Sequence, residues 1–226
     1  MTSFLKSTME YYHESKFIVI IPRYNINWNV VHKKPQSNKT IIATIPELEQ
    51  ILQELRKQNL KHYLIFRVLI ETGMRKGELI TAKLSGLHLN DRYIDGVGKT
   101  GDKIYFFSRG LRNLLKIYFN ERKKLNINFG ELFLTKQFKP YGTRSFNLKL
   151  KFVRDKLGIE KNITCHTFRK TINTLRKKLK KCPNEDAKIL LGHKVQDVNI
   201  ESYTILDIED QRNLYDEYNP YDNANF

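Results

Sequence analysis

The sequence predicts an α+β fold, mainly α-helical with a small antiparallel β-sheet or hairpin. Three observations lead there. Apolar residues recur at three- and four-residue spacing through most of the chain beyond residue 40. One stretch, Asp91 to Ser108, reads instead as strand, glycine turn, strand. Of the 226 residues, 40% are apolar and 12% aromatic, enough to build a core and well above what a charged, disordered chain carries.

The elements follow in order. Residues 1–16 read as a short helix, and Lys33-Lys34-Pro35-Gln36-Ser37-Asn38-Lys39 as a polar, basic linker. We therefore expect an N-terminal helix and linker over 1–40, a main domain over 41–226, and a distinct tail from about 206. Thr44 and Glu47 form a capping-box pair with Pro46 in the first turn, and Leu48, Ile51, Leu52 and Leu55 share one helical face. A second apolar helix over about 61–72 closes at Gly73, where a left-handed residue ends helices well. A new helix carrying Glu78 starts after Arg75. The hairpin pairs Arg92–Val97 with Lys103–Phe107 across Gly98-Lys99-Thr100-Gly101-Asp102. Helices return with Leu111, Leu114, Leu115, Tyr118 and Phe119, then with Phe146, Leu150, Val153 and Leu157, closed by Gly158. Thr164 caps a helix whose stripe is Phe168, Ile172, Leu175 and Leu179. Pro183 opens a short helix that stops at Gly192.

Forty Lys and Arg against 24 Asp and Glu give a net charge of +16, which points to a polyanionic partner, nucleic acid first. The charge is uneven. Residues 205–226 carry −5 and the preceding 204 carry +21, so the acidic tail is suited to docking on protein. The longest apolar run, Phe17 to Ile21, is far short of the ~18 residues a membrane span needs. Lys6, Glu10 and Glu14 stand where a secretory signal needs apolar residues, so an intracellular protein is expected. Cys165 and Cys182 lack metal-ligand partners at sensible spacing and read as two reduced cysteines. Gly98-Lys99-Thr100 echoes the end of a phosphate-binding loop, but Tyr93 occupies the position of its first glycine and the context is a hairpin, so nucleotide binding is rejected.

Several residues are suited to phosphate chemistry. His166 and Arg169 are three apart at a helix start, hence neighbours on one face near free backbone N–H groups. Arg75 follows a glycine break and can present a bidentate fork, with Glu78 orienting it from behind. Lys99 sits on a β turn from which it can swing over a substrate. His193 stands at a helix exit and Tyr203 ten residues on. Taken singly, each also fits an ordinary surface or core residue.

Together they resemble one family. The order Thr72-Gly-Met-Arg75-Lys-Gly-Glu78-Leu79, Gly98-Lys99, His166-Thr-Phe-Arg169, Leu191-Gly-His193 and Tyr203-Thr204 is similar to the signature of the tyrosine recombinases, the phage-integrase and Xer family, over roughly residues 40–205. The resemblance implies that family's catalytic-domain fold and site-specific cutting and rejoining of double-stranded DNA. It implies Tyr203 as the nucleophile that forms a 3′-phosphotyrosyl bond, and Arg75, Arg169 and His193 as donors to the scissile phosphate. His166 would be the general base and Lys99 the general acid, with Lys103 on the same hairpin as competitor. The phosphotyrosyl bond retains the diester energy, so no metal or ATP is implied. The resemblance further implies a homo-tetramer on DNA, a dimer per site, with residues 206–226 packing into a neighbouring protomer through Leu206, Ile208 and Leu214. Two departures stand out. The tyrosine commonly follows the histidine by nine positions and here by ten, and only about 40 residues precede the catalytic region where relatives carry a core-binding domain. DNA relaxation of the type IB topoisomerase kind, and a non-catalytic DNA-binding remnant, are the alternative readings.

Overall fold

A computed structural model describes residues 40–98, 101–125, 129–192 and 206–226 of the chain. Helix α1 (Ile45–Gln58) begins on the capping box read from the sequence: Glu47 N donates to Thr44 Oγ1 at 3.3 Å and Thr44 N to Glu47 Oε2 at 2.7 Å. Its Leu48, Ile51, Leu52 and Leu55 are buried. Asn59 then starts α2 (Leu60–Thr72), its side-chain oxygen accepting from Lys61 N and His62 N.

Helix α2 is buried on every face from Tyr63 to Thr72 and is the centre of the core. Two charged residues inside it are tolerable because they satisfy each other. Arg67 Nε donates to Glu71 Oε1 at 2.6 Å, Arg67 Nη1 to Tyr63 OH at 2.7 Å, and Glu71 Oε2 accepts Ser108 N at 3.0 Å. Ser108 is also the N-cap of α4 (Arg109–Lys123), so the buried pair fixes where that helix starts.

Gly73, with φ +67°, ends α2 and lets the chain turn into α3 (Lys76–Thr81). A three-stranded antiparallel sheet follows, β1 (Leu87–His88), β2 (Tyr93–Gly98) and β3 (Gly101–Phe106), in the order β1-β2-β3. The register sets Ile94 opposite Tyr105 and Gly96 opposite Lys103. The short β1 was not foreseen: two residues give no alternation to read. Helices α5 (Ser145–Leu157), α6 (Cys165–Leu179), α7 (Asn184–Ile189) and α8 (Ile208–Glu217) complete the fold. Helices α1, α4 and α6 pack on α2, and α5 on α1 and α6. Ala43 N donates to Thr171 Oγ1 at 2.9 Å, tying the lead-in of α1 to α6.

One expectation needs correction. Leu179, expected at the end of the core stripe, is exposed: it is the last residue of α6, where the helix ends at Lys180. Helix α8 packs on the body of the same chain through buried Tyr215, while of the residues expected to meet a neighbouring protomer Ile208 is exposed and Leu214 half-buried. Arg92 donates both Nη atoms to the Asp216 carboxylate, at 2.8 and 2.5 Å, and Lys180 pairs with Asp222. Both cysteines are free and buried. The helix expected over 1–16 and the linker over 33–39 lie outside the described residues.

Candidate active site

Three stretches far apart in sequence meet at one cleft of about 840 Å³: the turn into α3, strand β3, and the start of α6. It is lined by Arg75, Lys76, Glu78, Lys103, Asn147, His166 and Arg169, among others. Four of these are cations and one is a carboxylate, so the cleft favours an anion.

Glu78 is the hub. It is buried and accepts four hydrogen bonds: Arg75 N at 2.9 Å, Arg75 Nη1 at 3.0 Å, Lys103 Nζ at 3.0 Å and Tyr105 OH at 2.7 Å. Burial alone pushes its pKa up, but the Tyr105, Lys103 and Arg75 bonds outweigh that and hold it below the usual glutamate value. The ionised carboxylate therefore orients Arg75 from behind, as the sequence suggested. The Arg75 side chain remains 47% exposed and open to the cleft.

Arg169 is held on the opposite wall. Its Nη1 donates to Gly73 O and its Nη2 to Leu191 O, each at 2.8 Å, and Tyr105 also hydrogen-bonds it. One guanidinium thus joins the end of α2, the end of α7 and the sheet. One turn earlier on α6, His166 is exposed at the cleft. Partial burial, then Lys170, Arg169 and Arg75, push its pKa below the ordinary histidine value, so the ring is neutral at pH 7 and can accept a proton.

The structure therefore brings Arg75, His166 and Arg169 together, with Lys103 beside them. Lys99, His193 and Tyr203 lie outside the described residues. Gly192, immediately before His193, lies close to Lys103, which lines the cleft: a Cβ there would stand 3.0 Å from Lys103 Cβ, and its φ is +63°. Tyr105 and the Gly73 carbonyl were not singled out from sequence. Strand alternation does place 103 and 105 on one face of β3, which is the signal that would have found Tyr105.

This geometry can hold a phosphate between Arg75 and Arg169 with a neutral imidazole alongside. Comparison with known proteins places the chain in a family. The sequence model of the phage integrase family matches residues 44–207. The chain is 31% identical over 137 residues to the tyrosine recombinase XerC of Leptospira interrogans, covering 58% of this chain and 44% of that protein. It is 30% identical over 207 residues to the tyrosine recombinase XerA of Saccharolobus solfataricus, covering 88% and 66%. The chain thus spans from under half to about two thirds of these relatives. Its fold is similar to that of the Tn1549 transposon integrase solved in complex with transposon right end DNA, with a TM-score of 0.64, 16% identity, and coverage of 92% of this chain and 75% of that one.

Proposed function

The chain belongs to the phage integrase family, and from that membership we propose that it cuts and rejoins double-stranded DNA at specific sites through a 3′-phosphotyrosyl intermediate. The observation that carries this reading is the convergence of Arg75, His166 and Arg169 on one cationic cleft. In the proposed step, the Tyr203 oxygen attacks the scissile phosphorus and the bond to the 5′ oxygen breaks. Arg75 and Arg169, with His193, stabilise the charge that builds on the non-bridging oxygens, where fixed donors act more strongly on the transition state than on the ground state. His166 takes the tyrosine proton, and Lys99 supplies one to the leaving 5′ oxygen. Lys103, engaged with Glu78, serves as the second candidate acid. On DNA, inside the cell, two protomers per site and four in the exchanging complex are expected, joined through residues 206–226.

Covalent trapping tests the proposal. The protein and its Tyr203→Phe variant are incubated with nicked suicide duplexes. A denaturant-resistant, protease-sensitive adduct should form only with Tyr203 present, while DNA affinity stays nearly equal. An adduct with the phenylalanine variant would refute the nucleophile, and no adduct despite DNA binding would refute the reaction. In the same assay Lys99→Ala should cleave slowly and be rescued by a 5′-bridging phosphorothioate, whose sulfur leaves without protonation.

A further inference from the structure

Arg176 does not line the cleft, yet among the described residues it is the largest fully enclosed side chain, with 0% exposure. An arginine stays charged in any protein environment, and enclosing it without a carboxylate is costly. Among the described residues it makes no ion pair, and its Nε and Nη2 have no hydrogen-bond partner. Two groups meet the charge. The guanidinium carbon sits 5.7 Å from the ring centroid of Tyr215 on α8, and Nη1 donates to Leu190 O at 3.5 Å.

These two contacts belong to different parts of the molecule. Tyr215 is the buried anchor of the C-terminal helix. Leu190 ends α7, and the next carbonyl, that of Leu191, is held by Arg169. Residues 169 and 176 are two turns apart on one face of α6, so two parallel guanidinium contacts hold two consecutive peptide carbonyls. Directly after them come Gly192, against Lys103, and then His193 in sequence. Among the described residues the buried Tyr215 and Tyr221 hydroxyls have no hydrogen-bond partner, so what α8 offers Arg176 there is ring surface rather than a hydrogen bond.

We propose that Arg176 is a positioning residue that couples the seating of α8 to the Leu190–Gly192 turn, and through that turn to the catalytic groups that follow it. With α8 seated, the Tyr215 face offsets the buried charge and leaves one guanidinium nitrogen to hold Leu190. With Tyr215 withdrawn, the cation turns toward water and the turn loses one of its two carbonyl anchors. The part of this inference that concerns reaction rate rests on the function proposed above.

The test uses the full chain with histidine-labelled protein and the variants Arg176→Leu, Tyr215→Leu, Tyr215→Phe and the double leucine variant. The His193 ring resonance, assigned with His193→Gln, is followed without DNA. Adduct formation is followed at saturating nicked duplex alongside DNA affinity. Arg176→Leu and Tyr215→Leu should each shift the His193 resonance and slow adduct formation about tenfold or more, with affinity within about twofold. Tyr215→Phe should match the parent, since it keeps the ring face and the hydroxyl has no partner among the described residues. The double variant should be no slower than either single one. An unmoved His193 resonance in folded Tyr215→Leu, or losses that multiply in the double variant, would overturn the proposal. Arg176→Leu should still fold, because leucine removes a buried charge that has no carboxylate partner among the described residues. If it fails to fold, the Tyr215 pair still decides. Should the parent form no adduct, the reaction fails while the resonance still reports the coupling.

Discussion

Glu78 shows how one carboxylate organises a site of opposite charge. Without it, Arg75 and Lys103 would face each other and Tyr105 would be buried with one bond fewer. Its four bonds keep it ionised, so Arg75 is directed at the cleft rather than left to wander in solvent. His166 shows the converse. Partial burial, then the cations around it, keep its imidazole neutral to a lower pH than a free histidine. If it is the base, cleavage is lost only as pH falls through that lowered pKa, so the acid limb of the pH–rate profile should lie below pH 6.5. Lys170→Ala removes the foremost neighbouring charge and should move that limb upward. A limb that stays put when Lys170 is removed would speak against His166 as the titrating group.

At the scale of elements, the ends matter more than the middles. Helix α2 stops at Gly73 because the chain must adopt φ +67°, and there the carbonyl of Gly73 receives Arg169. A Cβ at this position would stand 2.9 Å from Leu191 Cδ2 and 3.0 Å from Ile172 Cγ2. Gly73→Ala should therefore cost about 1–2 kcal/mol for the left-handed backbone alone, and more for the contacts. Urea unfolding should show that loss. Cleavage should fall further than stability accounts for, since the carbonyl that positions Arg169 moves with it. The segment from Phe129 to Gly142, by contrast, forms only isolated bridges, Lys83 with Glu131 and Leu134 with Pro140. No periodicity announces such a segment. It is set by Arg122, whose Nη atoms bond the carbonyls of Phe129, Glu131 and Leu132.

At the scale of the whole molecule, the acidic tail meets the basic body. The Arg92–Asp216 fork, the Arg212–Asp91 pair and the Lys180–Asp222 pair all join α8 or the residues after it to earlier parts of the same chain. Arg92 is buried on a left-handed backbone, φ 61°, and its other contact is the Phe107 carbonyl at 3.4 Å. Asp216→Ala leaves that guanidinium without its carboxylate and should cost about 2 kcal/mol, in the range for bonds to charged groups. Deuterium uptake over residues 208–217 should rise well above the change in α2. Equal protection of α8 in both proteins would show that Tyr215 alone seats it.

Among the described residues, the sequence by itself determined most of the helices, their start and stop signals and the family. Capping boxes, glycine stops and apolar spacing are local signals, and they gave α1, α2, α5 and α6 nearly to the residue. The recombinase-like motifs likewise named Arg75, His166 and Arg169, because residue type and chain order survive without coordinates. Tertiary structure alone decided how those residues are held. That Glu78 joins Arg75 to Lys103 and Tyr105, that the Gly73 and Leu191 carbonyls grip Arg169, and that Tyr215 faces Arg176 all depend on pairs distant in sequence. Periodicity reports which face of an element is buried; only packing decides which other element that face meets.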